Sequence, residues 1–344
     1  MSWRDLITDA LGEIPVADPE RCVHTHAEVA SCRRCIDACP RGAWLIDDEE
    51  LAIDGDRCDG CGLCVAHCPE GALSQDRLSL TGRPSKGTVS LSCEFADAPR
   101  GAERVPCVNA FGLRRIARLY HGGMRQLRLR TAVCEDCPRA DEKGLVHALS
   151  GLNRVLSQRG LPLVELVRVV PGRGFGTPAP DEPSSAGPQF SRRGFFRQVM
   201  GAVAEEYADS GDGACRAPGE YLPPTRQGEP ALFVPCIDGT RCNGCDACVR
   251  SCQHAALSLS PDHGAYLVSA DVCTGCRLCT DVCDQDAVAV REGVAVEQSI
   301  LPLQQGVCQA CGARFHRPQG TDLAASLCHV CAHINHYRHL FQVL

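Results

Sequence analysis

The spacing of apolar residues between positions 85 and 170 alternates between strand-like runs and stretches of helical period. The predicted strands lie at 88–91, 126–133 and 164–170, and the predicted helices at 109–120 and 143–158. Strand and helix patterns that alternate in this way indicate a small α/β unit with a parallel sheet.

Stretches rich in proline, glycine and serine follow this unit, at 171–188 and 208–230. They indicate a linker, and residues 190–207 between them have the spacing of one helix. On either side of the linker the same cysteine spacing recurs, so the chain contains an internal repeat.

The composition of the chain limits the roles that its cysteines can have. The 344 residues predict two or three domains, and the 26 cysteines require disulfides, zinc or iron–sulfur clusters. Disulfides are disfavoured because residues 1–11 lack the apolar core of a signal peptide, and because C-x2-C runs suit a shared metal. We therefore expect a reducing, cytoplasmic compartment and no membrane span. The net charge of −7 and the 5% aromatic content argue against a nucleic-acid surface.

Three runs of four cysteines have the spacing C-x2-C-x2-C-x3-C. They are Cys58, Cys61, Cys64 and Cys68; Cys242, Cys245, Cys248 and Cys252; and Cys273, Cys276, Cys279 and Cys283. Structural zinc sites use two C-x2-C pairs and not triplets, so this spacing favours iron–sulfur clusters. Both segments resemble the bacterial two-cluster ferredoxin family, over about a third of the chain.

This resemblance implies crosswise ligation, in which the fourth cysteine of each run binds the neighbouring [4Fe–4S] cluster. In the second repeat one cube would take Cys242, Cys245, Cys248 and Cys283, and its partner Cys273, Cys276, Cys279 and Cys252. In the first repeat one cube would take Cys58, Cys61, Cys64 and Cys39. Gln253 and Asp284 stand where the family prefers proline, so we expect ligation to be kept while the loop geometry can differ.

The most N-terminal run departs from the pattern, because Val29 stands where its first cysteine is expected. Cys22 lies upstream and would complete a cube with Cys32, Cys35 and Cys68. His24 and His26 are the alternative ligands, since histidine also binds iron–sulfur clusters.

Four further cysteines lie in the α/β segment: Cys93, Cys107, Cys134 and Cys137. Because strand ends converge at one edge of a parallel sheet, they predict one [2Fe–2S] cluster or a zinc ion there. The layout resembles the small [2Fe–2S] delta subunit associated with methanogen hydrogenase and heterodisulfide reductase. A thioredoxin-like dithiol at Cys134 and Cys137, or buried cysteines without a metal, are the alternatives.

The C-terminal pairs Cys308-x2-Cys311 and Cys328-x2-Cys331 have the pattern of a zinc ribbon. Rubredoxin-type iron uses similar ligands and stays open as an alternative. Cys215 and Cys236 have no assigned role.

These patterns predict an α+β, multidomain protein with five regions. Ferredoxin-like modules lie at 1–82 and 235–298, the α/β domain at 83–171, a linker with one helix at 172–234, and a zinc-ribbon-like tail at 299–344.

The sequence contains no G-x-G-x-x-G after a strand, no P-loop and no constellation of a catalytic nucleophile. Any catalytic reaction should therefore take place in a partner protein. We expect a non-catalytic subunit that carries electrons through four [4Fe–4S] clusters and a [2Fe–2S] cluster, with a structural zinc. Its partners would be a flavin- or molybdenum-containing subunit, or a hydrogenase-like enzyme, and an acceptor. An assembly factor for a metalloenzyme, or a component with dithiol chemistry at Cys134 and Cys137, are the alternative functions.

Overall fold

The computed structural model describes residues 14–46, 51–78, 87–96, 102–132, 144–169, 216–321 and 327–333, together with positions 80, 134, 135, 137 and 139. The helix predicted at 190–207 and Cys215 lie outside the described residues.

The first module is built from two antiparallel strand pairs with cysteine runs between them. The outer pair joins β1 (Val16–Ala17) to β4 (Leu73–Ser74), and the inner hairpin joins β2 (Trp44–Ile46) to β3 (Leu51–Ile53). Its helices are Val23–His26, Arg34–Asp37 and Leu63–His67, with 3₁₀ turns at Pro19–Arg21 and Asp76–Leu78.

Four parallel strands form the middle sheet, in the order β6–β5–β7–β8. The strands are β5 (Thr88–Cys93), β6 (Glu103–Val105), β7 (Gln126–Arg130) and β8 (Glu165–Arg168). The helices are Leu113–His121 and Gly144–Gln158, with a 3₁₀ turn at Val108–Ala110. The sequence pattern missed β6, because its three residues include only one apolar side chain.

The helix predicted at 109–120 is interrupted, and a regular helix begins only at Leu113. Gly112 is extended, with φ −75° and ψ 177°, and a Cβ at this position would overlap the carbonyl oxygen of Ala66. The break therefore lets the middle domain lie directly against the backbone of the first module.

The second module repeats the topology of the first. Its outer pair joins β9 (Pro230–Ile237) to β12 (Val288–Ala295), and its inner hairpin joins β10 (Leu257–Leu259) to β11 (Ala265–Val268). Its helices are Ala247–Arg250 and Leu278–Asp281, with a 3₁₀ turn at Pro218–Tyr221. In both modules the first strand pairs with the last, so the internal repeat seen in the sequence is also a repeat of fold.

The tail extends the inner hairpin of the second module. Strand β13 (Ile300–Val307) pairs with β11, and β14 (Arg314–Pro318) pairs with β13, which gives a four-stranded sheet. A short helix at His329–His333 follows.

One apolar cluster connects the three larger parts. It includes Leu63 of the first module, Leu91 and Leu127 of the middle sheet, and Phe233 of the second module. In the part of the chain that is described, no helix has the length and apolar character that a membrane span requires.

Candidate iron–sulfur and metal sites

The loop that begins each full cysteine run has one conformation. The second residue after the first cysteine is a glycine with left-handed backbone, at φ 65°, 74° and 76° for Gly60, Gly244 and Gly275. The amide of this glycine donates to the sulfur of the first cysteine, as in Cys58, Cys242 and Cys273. The loop thus turns its amide groups toward the thiols, as a thiolate-bound cluster requires.

Cys22 has the same local arrangement. The backbone amide of His24, two residues further on, donates to the Cys22 sulfur and lowers its pKa, although burial has the larger effect and raises it. Cys22 therefore has the amide contact of a first cysteine, in spite of its distance from Cys32 in the sequence.

The fourth cysteine of every run is followed by the same turn. The sulfurs of Cys39, Cys68, Cys252 and Cys283 each accept from the amide of an alanine four residues later, at 3.2 to 3.4 Å. The residue before each alanine has positive φ, including Ala255 at 53° and Asp286 at 44°. Gln253 and Asp284 therefore give the same turn as the prolines of the first module.

In the second module the thiols gather crosswise into two sets. Set C contains Cys242, Cys245, Cys248 and Cys283, and set D contains Cys252, Cys273, Cys276 and Cys279. The members of each set line a common void. Burial raises the pKa of Cys248 and of Cys273 to about 12, and the neighbouring thiols of the same set add to the increase.

In the first module the grouping is again crosswise. Set A contains Cys22, Cys32, Cys35 and Cys68, and set B contains Cys39, Cys58, Cys61 and Cys64. Burial raises the pKa of Cys35 to about 12, and the thiols of Cys68, Cys32 and Cys22 in set A and of Cys64 in set B contribute as neighbours. The pKa of Cys64 is likewise raised to about 12 by burial, with Cys39 and Cys58 as neighbours. Such crowded thiols ionise only when a cationic group neutralises them, which a metal cluster would do.

The two histidines proposed as alternative ligands have other contacts. The ring nitrogen Nε2 of His24 lies 2.7 Å from the carbonyl oxygen of Cys32, and that of His26 lies 2.7 Å from the carbonyl oxygen of Glu20. Both rings therefore bond to backbone oxygens within the loop.

The middle set contains Cys93, Cys107, Cys134 and Cys137. Burial raises the pKa of Cys107 to about 11, and the thiols of Cys137, Cys93 and Cys134 raise it further as neighbours. Cys93 ends β5, and its sulfur accepts from the amide of Ala132 just after β7. The edge of the parallel sheet thus brings the middle set together.

Arg139 connects the middle set to set B. Its buried guanidinium donates to the carboxylate of Asp59 at 3.0 Å, to the carboxylate of Glu94, and to the carbonyl oxygen of Pro106 at 3.2 Å. Asp59 lies in the set B loop, whereas Glu94 and Pro106 adjoin Cys93 and Cys107. One side chain therefore holds the loops of two thiol sets together.

The tail set contains Cys308, Cys311, Cys328 and Cys331. Its sulfurs all lie within 4.8 Å of one another, close to the roughly 3.8 Å expected between sulfurs around one tetrahedral zinc. Gly312 has φ 72°, and its amide donates to the Cys308 carbonyl at 2.9 Å. Among the described residues no other group of cysteines is this compact, so the tail set suits a single ion and the other sets suit something larger.

His316 on β14 connects the tail to set C. Its Nε2 lies 2.8 Å from the carboxylate of Asp246, which also accepts from the hydroxyl of Tyr266 at 2.6 Å. Burial raises the pKa of Asp246, but these hydrogen bonds outweigh it and hold the pKa below its usual range. Gly244 in the same loop lies against the backbone of His316, where a Cβ would overlap the carbonyl oxygen.

Sequence reasoning missed these connecting residues, namely Arg139, Asp59, Glu94, Asp246 and His316. Their partners lie 45 to 80 positions away. Only Asp59, Glu94 and Asp246 carry a local signal, since each directly follows a cysteine. Cys236 lies on β9 outside every set and packs beside Ala231 and Val234 as a small apolar residue.

Two segments match the 4Fe-4S dicluster domain family, at residues 30–73 and 241–287. A ferredoxin of Methanothermococcus thermolithotrophicus is 36% identical over 58 residues, which are 16% of this chain and 95% of the ferredoxin. Pyruvate synthase subunit PorD of Methanothermobacter marburgensis is 36% identical over 63 residues, 18% of this chain and 65% of that subunit. An ion-translocating oxidoreductase complex of Methanosarcina acetivorans has a subunit that is 40% identical over 42 residues, 12% of this chain and 16% of that subunit.

The chain thus spans just under two thirds of the pyruvate synthase subunit and a small part of the ion-translocating subunit. No solved structure is significantly similar to it. None of these similarities supports the resemblance of the middle segment to the [2Fe–2S] delta subunit, which stays a prediction.

Both matched segments cover cysteine runs of the two modules, and each module has paired thiol sets of cluster size. The protein therefore binds [4Fe–4S] clusters and serves electron transfer. The chain belongs to the bacterial-type dicluster [4Fe–4S] ferredoxin family, with one ferredoxin segment in each half of its sequence.

Proposed function

We propose that this protein relays electrons through four [4Fe–4S] clusters, held by sets A, B, C and D, and through a [2Fe–2S] cluster held by the middle set. The clusters supply reversible one-electron chemistry when they are bound. The chain contributes the thiolates, the amide groups that contact them and a buried surrounding. The tail set would hold a structural zinc.

The crossed grouping of thiols in both modules carries this proposal. In each module the fourth cysteine of one run lies with the first three of the other, which is the arrangement of a two-cluster ferredoxin. Cys22 shares the amide contact of the other first cysteines, which supports a fourth complete set.

The assignment of a [2Fe–2S] cluster to the middle set rests on the close approach of all four of its cysteines. A redox dithiol needs only Cys134 and Cys137, yet Cys93 and Cys107 also face them. Unlike those of the tail set, the four sulfurs of the middle set do not all lie within 4.8 Å of one another. This wider spacing favours a two-iron centre over a single zinc ion.

The partners would be redox proteins, in agreement with relatives that are named as subunits of a pyruvate synthase and of an ion-translocating oxidoreductase complex. We propose a flavin- or molybdenum-containing subunit, or a hydrogenase-like enzyme, on one side and an acceptor on the other. We place the catalytic chemistry in the partner, because the sequence has no nucleotide-binding glycine motif and no nucleophile constellation.

Anaerobic purification with metal and sulfide analysis tests the proposal. We expect about 18 iron atoms per chain, four for each cube and two for the middle site, with one zinc. Iron near zero with zinc in every set would refute the relay. Cubes without the extra two irons would refute only the middle assignment. Co-purification under the same conditions identifies the partner subunits.

A further inference from the structure

The two modules contact each other through the loops of sets A and D. Ser31 donates from its amide to Asp281 at 2.8 Å and from its hydroxyl at 2.9 Å, and Arg34 donates to the carbonyl oxygen of Gly275 at 2.9 Å. Val23 and Leu278 pack together in an apolar cluster that also contains thiols of both sets, namely Cys32 and Cys276.

Glu70 lies at the centre of this contact, and it is only 3% exposed. One carboxylate oxygen lies 2.6 Å from Nε2 of His254, and the other accepts from the hydroxyl of Thr274 at 2.5 Å. The carboxylate also bonds to the thiol of Cys276. Glu70 is thus a residue of the first module whose polar partners belong to the loops of set D.

The positions of Glu70 and His254 in the sequence are equivalent. Each is the second residue after the fourth cysteine of its run, Cys68 for Glu70 and Cys252 for His254. Cys68 belongs to set A and Cys252 to set D. A short path of backbone and one hydrogen bond therefore joins a ligand position of one set to a ligand position of the other.

The remaining sets have different neighbours. Arg139 joins set B to the middle set, and His316 places the tail against the set C loop. These contacts connect the sites in the order middle set, B, A, D, C and tail. The middle domain also touches the second module directly, where Arg154 donates to the carbonyl oxygen of Glu292 at 3.4 Å.

We infer that electrons cross between the two modules where sets A and D meet, and that Glu70 is the positioning residue of this crossing. The inference rests on the proposed function. One electron leaves a reduced cluster on one side and enters an oxidised cluster on the other, and an external low-potential reductant supplies it. Glu70 neither gains nor loses electrons, since its role is to hold the two ligand loops together.

Electron paramagnetic resonance of full-length, dithionite-reduced protein tests the crossing. The double variant Cys61→Ala/Cys245→Ala removes sets B and C and leaves the cubes of sets A and D. Its matched control, Cys61→Ala/Cys276→Ala, leaves the cubes of sets A and C. The middle set is intact in both variants, so its signal is common to both. We expect magnetic coupling between the two reduced cubes in the first variant and two independent cube signals in the control.

Coupling only in the control, or iron without coupling in the A and D variant, would overturn the inference while the proposed relay stands. Absence of iron from both variants would overturn the proposed ligand sets as well, so the two failures are distinguishable.

The role of Glu70 is tested in the A and D variant. Glu70→Ala should lose the coupling at unchanged iron content, because the hydrogen bonds across the contact are lost, and Glu70→Gln should retain it. The control Gln285→Ala changes the equivalent position after Cys283, away from the contact. If Glu70→Ala does not fold, Thr274→Val and His254→Leu each remove one hydrogen bond and should weaken the coupling. Full coupling in every one of these variants would refute a positioning role.

Discussion

At the scale of single residues, the amide contacts of the sulfurs decide which cysteines are equivalent. Cys22 lies ten positions before Cys32, yet it accepts from the amide two residues further on, as the first cysteines of the full runs do. The rings of His24 and His26 bond to backbone oxygens. A thiolate ligand at Cys22 and a histidine ligand at His24 or His26 therefore predict different iron contents after substitutions in this loop.

We predict that Cys22→Ser removes the iron of one cube, about four atoms, because set A then lacks a thiolate. His24→Ala should retain the full iron content and reduce only the stability of the loop. Metal analysis of anaerobic protein measures both, and His26→Ala, at the other candidate histidine, should also retain the full iron content. Iron loss in His24→Ala together with full iron in Cys22→Ser would assign the ligand to the histidine.

At the scale of elements, the antiparallel pairing of the outer strands explains why the fourth cysteine of one run lies with the first three of the other. Pairing β9 with β12 brings the two ends of the second module together, and the turn after Cys252 directs its sulfur to set D. In each of the four turns an alanine amide donates to the sulfur of the cysteine, whichever residue follows that cysteine.

We predict that Cys252→Ala perturbs the cluster of Cys273, Cys276 and Cys279 and spares the cluster of its own run. Cys248→Ala is the matched control and should have the opposite effect, since it belongs to set C. Electron paramagnetic resonance of the reduced variants separates the two signals. Loss of the same signal in both variants would contradict the crossed topology.

The tail hairpin belongs to the sheet of the second module through the pairing of β13 with β11. Its cysteines lie beyond that pairing, in the turn at Cys308 and near the short helix at His329–His333. The metal of the tail set would therefore order the end of the hairpin and leave the pairing in place.

We predict that Cys311→Ser releases the zinc and leaves the iron content unchanged. Amide exchange should then increase at Cys308 and Gly312, whose hydrogen bonds close the knuckle, because structural zinc supplies local folding free energy. Exchange at Leu301, in the part of β13 that pairs with β11, should stay slow. Iron bound at this set in protein prepared with ample zinc would contradict the zinc assignment.

At the scale of the whole molecule, buried charged residues hold the modules in their order. Arg139 has a side chain that is 8% exposed and pairs with Asp59 of the first module and Glu94 of the middle domain. Arg77 pairs with the same Glu94 at 2.8 Å but is 36% exposed. The two arginines therefore form a matched comparison of buried and exposed ion pairs.

We predict that Arg139→Ala lowers the free energy of unfolding by about 1–3 kcal/mol, because Asp59 and Glu94 lose their buried partner and keep only the more exposed Arg41 and Arg77. Arg77→Ala should cost at most about 1 kcal/mol, since water screens an exposed pair. Anaerobic denaturant unfolding measures both variants. Equal losses in the two variants would show that Arg139 does not hold the contact between the domains.

Local patterns in the sequence were sufficient for the features that depend on nearby residues. The C-x2-C-x2-C-x3-C runs determined the two ferredoxin segments, since cluster loops are built from close neighbours, and the alternation of apolar residues located most elements of the middle sheet. The interrupted helix at Gly112 was missed because its cause is the backbone of Ala66, 46 positions earlier.

Only the tertiary structure decided how these parts face one another. The bonds of Arg139 to Asp59, of Glu70 to His254 and of His316 to Asp246 span 80, 184 and 70 positions, and no local pattern encodes them. The sequence by itself therefore determined the two ferredoxin segments, because the spacing of the cysteines within each run is local. The order of the sites along the molecule was decided by packing between modules, because it depends on contacts between residues far apart in the chain.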